Sequence, residues 1–218
     1  MGSRMETNMK RVLVACEESQ RVCIAFRERG FQAYSCDILP CSGGHPEWHY
    51  QGDVRNVLYG DWDLIIAHPP CTYLTVSGNK YFNEKVYGAK AIARQELRYE
   101  AIDFFMLFVN APCEHIAIEN PIGCMSTVYR KPNQIYNPYD FKGETECKKT
   151  CLWLKNLPNL QPTQQLDPAL RTHNGYMAKF DGIQYAWNDP RVAGLRSKTP
   201  WGVAKAMAEQ WGKVIEND

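Results

Sequence analysis

Hydrophobic and polar positions along this chain fall into short blocks. Val12-Leu13-Val14, Leu64-Ile65-Ile66-Ala67 and His115-Ile116-Ala117-Ile118 are brief apolar runs bounded by polar or turn-forming residues. Runs this short predict strands buried on both faces, the first over residues 11–15. Over 19–29, Val22, Ile24, Ala25 and Phe26 supply the apolar positions of a helix, and Gly30 supplies its stop. A second strand follows over 32–36 and ends at Asp37. A strand, a helix and a strand joined by such short connections imply a parallel pair. Residues 51–54 are read as the close of a third strand and 64–67 as the fourth. A long helix over 89–109 leads to the fifth strand at 115–118, and 150–154 is read as a sixth. Pro200 suits the first turn of a closing helix over 200–215, with Val203, Ala206, Met207 and Trp211 at helical spacing. The intervening stretches 38–48, 72–88, 123–145 and 158–194 are read as loops, with Gly78 and Gly88 as hinges in the second. No repeat or linker divides the chain. The pattern predicts one α/β domain over 1–218 with a mostly parallel sheet.

Composition narrows the function classes. Lys and Arg number 25 and Asp and Glu 24 among 218 residues, a net charge of +1. No global basic field draws the chain to nucleic acid, so any such binding relies on a local patch. The longest apolar stretch, near 104–109, is far short of a membrane span. No secretory leader pattern is present. Residues 1–9 are read as a flexible terminus or cloning remnant. Nine cysteines, an odd count, and no leader point to free thiols in a cytoplasmic protein of a bacterial or phage-infected cell. Cys36, Cys41, His45 and His49 carry zinc-ligand chemistry but not a familiar ligand spacing, so the segment is read as a loop and no metal is expected.

The candidate chemistry lies at strand ends. Pro69 and Pro70 cannot continue a central ladder, so the fourth strand stops there and Cys71 falls at its carboxyl end. The fifth run ends in Glu119-Asn120-Pro121. Open α/β sheets bind ligands at carboxyl edges. A thiol and a carboxyl at neighbouring strand ends are the makings of an enzyme.

Taken in order, these motifs resemble the DNA cytosine-5 methyltransferases, and more narrowly their short phage and prophage type, over 12 to about 211. The resemblance implies a Rossmann-like methyltransferase fold and S-adenosylmethionine as cofactor. It makes Cys71 the nucleophile, Glu119 and Asn120 the contacts to a flipped cytosine, Asp37 a ribose ligand and Asp53 a residue near the adenine. The first loop, with Ala15, Cys16, Glu17, Ser19 and Gln20, stands where the family carries glycines, and Pro70 completes that site. The family's arginine-bearing motif is matched only by Lys148-Lys149-Thr150, so Lys149 or its neighbour Lys148 is expected to supply positive charge. Pro121 stands where a branched apolar residue is usual. The region 123–195 is the only stretch that could serve as a reduced target-recognition insertion.

The implied chemistry is covalent. A thiolate added at C6 of cytosine turns C5 into a nucleophile, and a later base removes the C5 proton so that the thiolate leaves. The base must be flipped out of a duplex for this. Tyr73, Tyr81, Phe82 and Tyr87 alternate with Lys80, Lys85 and Lys90, and Lys90, Arg94 and Arg98 lie four apart on one helical face. Tyr73, Lys80, Lys90, Arg94 and Arg98 are read as backbone contacts. The plain alternative is a solvated face paired with Glu84, Glu96 and Glu100. Plain alternatives stand beside the other residues too: an inert thiol for Cys71, an ion-pair carboxylate for Glu119, turn-forming aspartates for Asp37 and Asp53. Two rival functions remain, an amino-methyltransferase and a catalytically silent binding factor. The residues do not discriminate DNA from RNA.

Overall fold

The computed structural model describes residues 9–173, 177–180, 183–186, 189 and 191–218. The expected terminus at 1–9 lies outside them except for Met9. Seven strands form the central sheet: β1 (Arg11–Ala15), β2 (Gln32–Asp37), β3 (His49–Gln51), β4 (Leu64–Ala67), β5 (His115–Pro121), β6 (Gln134–Tyr136) and β7 (Thr150–Lys155). Three helices pack on it: α1 (Arg21–Arg27), α2 (Ala89–Val109) and α3 (Trp201–Glu216). The spatial order is β3-β2-β1-β4-β5-β7-β6. The first five are mutually parallel, with Val12 opposite both Ala33 and Leu64, and Leu64 opposite His115. β7 runs antiparallel to β5 and to β6. This is the Rossmann-like, mostly parallel arrangement that the sequence implied.

Alternate residues of the central strands feed two cores. Val12, Val14, Leu64 and Ile66 join Val22 and Phe26 of α1 and Met207 and Trp211 of α3 on one face. Leu13, Ala15, Ile65 and Ala67 join Phe105 and Phe108 of α2, with Trp153, on the other. Burial on both faces explains why these strands read as unbroken apolar runs. Chain order reverses between β1 and β4, and this is where such sheets open a crevice for ligands. Both the loop after β1 and the segment carrying Cys71 start there.

Several boundaries differ from the expectation. The third strand is His49–Gln51, and Asp53 instead caps the single 3-10 turn Val54–Asn56 through the Arg55 N–H at 2.9 Å. The stretch 72–88 is not an open loop: it holds the 3-10 segment Val76–Phe82 and a one-turn helix, Glu84–Tyr87. Gly78 is buried there, where a Cβ would meet the Arg94 guanidinium at 2.9 Å, so it serves close packing rather than hinging. Within 123–195, β6 and β7 belong to the main sheet, whereas Glu146–Cys147 pairs with Thr172–His173, and Met177–Phe180 with Ile183–Ala186, in two small separate sheets. Residues 174–176, 181–182, 187–188 and 190 of that stretch lie outside the described residues.

The loop after β1 solves a tight turn without glycine. Cys16 (φ +60°) and Gln20 (φ +59°) both take the left-handed conformation, at a cost of order 1–2 kcal/mol each. Glu17 offsets this. Its buried carboxylate accepts from the N–H groups of Val22 (2.8 Å) and Cys23 (3.2 Å) in the first turn of α1. Burial pushes the Glu17 carboxyl up to about 7 despite those donors. Between its ordinary 4.5 and about 7 the folded chain holds a proton that the unfolded chain releases. Stability is therefore greatest below that window and falls as pH rises through it. Urea unfolding across this range is expected to show a Glu17 contribution of up to roughly 1.4 kcal/mol per pH unit, and Glu17→Gln should remove that slope.

Candidate active site

The carboxyl ends of β4 and β5 are locked together. Asn120 donates from Nδ2 to the Pro69 carbonyl at 2.7 Å, and the His68 N–H donates to the Ala15 carbonyl at 2.9 Å. Beyond them the two chain segments stay joined. Val76 N donates to the Ile122 carbonyl (3.1 Å) and Cys124 N to the Leu74 carbonyl (2.8 Å), flanking a Thr75–Gly123 bridge. A Cβ on Gly123 would run into the Leu74 carbonyl oxygen, so this approach needs glycine. Cys71 and Glu119 thus sit at adjoining ends of one edge, within each other's electrostatic reach.

Around this pair lie side chains the motif reading did not select. Tyr136 of β6 donates its hydroxyl to Glu119 Oε2 at 3.0 Å. His68 Nδ1 lies 3.6 Å from the same oxygen. Burial holds the His68 imidazole below its ordinary range, Glu119 opposing this and Lys148 adding to it. Burial and then the Glu119 charge push the Tyr136 phenol well up. Burial also raises the Cys71 thiol, while Lys148 and Arg196 pull it down. Lys148 anchors its ammonium on the Arg196 carbonyl at 2.7 Å. Lys149, the residue chosen from sequence, is exposed. Adjacent residues in extended chain face opposite ways, so only one of the two can turn inward. Two buried polar atoms here have no partner among the described residues: His68 Nε2 and Asn120 Oδ1.

Expected cofactor residues divide into two groups. Cys16, Asp37 and Asp53 converge: burial raises the Cys16 thiol, and both carboxylates raise it further. Asp37 Oδ1 accepts from Leu39 N at 2.9 Å, and Asp53 Oδ2 meets Arg55 at 2.8 Å, so each also does turn or pairing work. Ala15 and Pro70 border the same crevice, Ala15 buried and Pro70 exposed. Glu17 and Gln20, by contrast, spend their side chains on the fold. Glu17 caps α1, with the Ser19 hydroxyl 3.5 Å from it. Gln20 clasps the backbone of His45, accepting from its N–H (3.1 Å) and donating to its carbonyl (2.8 Å). Neither offers its side chain to a ligand. His49 binds Ser35 and Leu39 through its two ring nitrogens, and His45 stacks on Trp48 at 3.9 Å. Among the described residues no three His, Cys, Asp or Glu side chains gather as a metal site.

The basic tract also divides. Arg94 donates to the Thr72 carbonyl (3.0 Å) and lies over Tyr73, Tyr81 and Phe82. Arg98 donates to the Tyr73 carbonyl (2.9 Å) and Asn79 (2.7 Å), with its guanidinium 3.4 Å from the Phe82 ring centre. These two arginines clamp the segment after Cys71 onto α2. Among the described residues neither pairs with Glu84, Glu96 or Glu100, the acidic partners of the plain alternative. Lys80 and Lys90 remain exposed, and Tyr73 is half-buried beneath Arg94.

No family profile and no curated protein matches the chain. Among solved structures it is similar to a candidate DNA modification methyltransferase encoded within an E. coli prophage, at 15% identity and a TM-score of 0.41. The match covers 66% of this chain and 46% of that one. No helix among the described residues is long and apolar enough to cross a membrane.

Lys148→Ala should move the pH dependence of Cys71 alkylation by iodoacetamide upward, slowing it roughly three- to tenfold at neutral pH, whereas Lys149→Ala should leave it alone. Peptide mass spectrometry separates Cys71 from the other thiols. Arg98→Ala should speed amide hydrogen exchange across 72–82 by about tenfold or more, since hydrogen bonds to a charged group contribute roughly 1.5–3 kcal/mol each. Arg98→Lys should not restore protection, because an ammonium lacks the planar fork.

Proposed function

We propose that this chain transfers a methyl group from S-adenosylmethionine to C5 of a cytosine in DNA, with Cys71 adding covalently to C6. The observation that carries this reading is the Asn120–Pro69 hydrogen bond. It holds a thiol and a carboxyl side by side at one sheet edge, next to the crevice where Cys16, Asp37 and Asp53 converge. Two carboxylates at strand ends suit the ribose hydroxyls and adenine edge of the cofactor, and the left-handed Cys16 lets the backbone turn closely there. When bound, S-adenosylmethionine supplies an electrophilic methyl, which C5 takes once C6 carries sulfur.

The chain's own groups do the rest. Lys148 and Arg196 favour the Cys71 thiolate against its burial. The thiolate forms the S–C6 bond, and the ring's electrons move towards N3. Protonated Glu119 donates to N3, and the Tyr136 hydroxyl steadies its other oxygen. With its hydrogen on Nδ1 towards Glu119, His68 presents Nε2 as an acceptor. His68 Nε2 and Asn120 Oδ1 then give the cytosine amino group two acceptors that have no partner among the described residues. After methyl transfer N3 returns its proton to Glu119, a base takes the C5 proton, the C5–C6 double bond re-forms and the S–C6 bond breaks.

Radiolabelled S-adenosylmethionine with cytosine-containing DNA, followed by nucleoside analysis, tests the reading. 5-Methylcytosine is expected from the wild type and none from Cys71→Ser. DNA bearing 5-fluorocytosine should trap the wild type covalently, since fluorine cannot leave as a proton does. Glu119→Gln should slow turnover by about 10²–10⁴-fold, the usual scale of general acid catalysis. Methyl on the exocyclic nitrogen would instead identify an amino-methyltransferase. No product on any nucleic acid would favour the silent binding factor.

A further inference from the structure

A cavity of about 410 Å³ opens between the segment 142–146 and the start of α3. Its wall carries Arg21, Lys142, Arg196, Lys198 and Lys205, five cations against the two carboxylates Glu144 and Glu146. That is a strong local excess in a chain whose net charge is +1. One carboxylate is already engaged: Glu144 Oε1 accepts from the Gly202 N–H at 2.8 Å. Gly202 lies in the first turn of α3, so this carboxylate caps the positive end of the helix. The cations are held in place. Arg21 donates to the Thr199 carbonyl (3.3 Å) with its guanidinium 5.5 Å from the Trp201 ring centre, and Lys198 reaches Ser42 at 3.1 Å. Arg196 joins this cavity to the candidate active site. It lines the wall, its charge acts on Cys71, and its carbonyl anchors Lys148.

We propose that this cavity binds phosphate of the nucleic-acid strand whose base reaches Cys71, an inference that rests on the reading above. The charge pattern favours phosphate over the other anion available to such an enzyme. The methionine end of S-adenosylmethionine carries an ammonium and a sulfonium beside its single carboxylate, and five cations repel that combination. A phosphodiester has anionic oxygen and no compensating cation, and a basic groove with an aromatic wall is a general solution for tracking a single strand. The volume is within the range of small-molecule sites. The cavity would add phosphate-facing charge to that of the exposed Lys80 and Lys90, since Arg94 and Arg98 are committed to packing.

The test uses the full chain with Lys142→Ala, Lys198→Ala and Lys205→Ala combined, and a Lys142→Ala/Lys205→Ala pair of exposed residues as a folding-safe companion. The probes are a short fluorescein-labelled single-stranded oligodeoxynucleotide containing cytosine and, separately, deoxycytidine monophosphate. The triple variant should bind the oligonucleotide at least about tenfold more weakly at low salt. Its slope of log affinity against log salt should flatten by about 0.7 for each phosphate no longer neutralised. S-adenosylhomocysteine affinity should stay within about twofold, as expected when the cavity touches only phosphate. Weakening of the oligonucleotide alone assigns the cavity to internal backbone phosphates, and weakening of the mononucleotide as well assigns it to the phosphate of the reacting nucleotide. An unchanged salt slope, loss of S-adenosylhomocysteine with oligonucleotide binding intact, or a wild type that binds neither phosphate probe would overturn the proposal. Because the readout is binding, a chain that makes no methylated product yet loses its salt slope keeps the cavity and loses the enzyme. Unaltered binding with intact methylation does the reverse.

Discussion

Asn120 and the Pro69 carbonyl meet inside the sheet edge at 2.7 Å. Both are cut off from water, and an unmade hydrogen bond there costs roughly 1–3 kcal/mol. Much else depends on that contact. Pro69 lacks an N–H and ends β4, so its carbonyl is free to point sideways instead of pairing in a ladder. Asn120 comes from β5, which is still paired on its far side through Cys151 of β7. The contact therefore transmits the order of the sheet to two segments that have left it. Together with the Thr75–Gly123 bridge further on, it holds the thiol after β4 near the carboxyl at the end of β5.

Charge in this chain is divided by task. Arg94 and Arg98 are half-buried, spend their donors on backbone carbonyls and lie over aromatic rings. Lys148 and Arg196 act on the thiol. Lys142, Lys198 and Lys205 line the α3 cavity together with Arg21 and Arg196. A near-neutral total thus conceals a concentrated field. The sign and place of charges matter more here than their sum.

The parallel core was legible because its strands are buried on both faces and read as apolar runs, and because prolines mark where β4 ends. The places of Cys71 and Glu119 near strand ends were legible for the same reason: Glu119 directly follows its run, and Cys71 follows the two prolines after its own. Tyr136 was not, since β6 is three residues long and lies in a stretch rich in proline and tyrosine. Only its pairing with β7 carries it to Glu119. Lys148 and Lys149 are indistinguishable in sequence, and burial alone separates them. Arg94 and Arg98 have the spacing of a phosphate-binding face, but periodicity tells which residues share a face and not what covers it. Glu17 and Gln20 were read as ligands because they occupy the loop where glycines are expected. In the fold their side chains are engaged instead, Glu17 with the first turn of α1 and Gln20 with the His45 backbone.

The bridge between the segments after β4 and β5 bears on how such a site tolerates change. Thr75 pairs with Gly123, and flanking hydrogen bonds tie residues 74–76 to 122–124. The thiol-bearing and carboxyl-bearing segments therefore share one brace, and a side chain placed at Gly123 would disturb the ends of both strands at once.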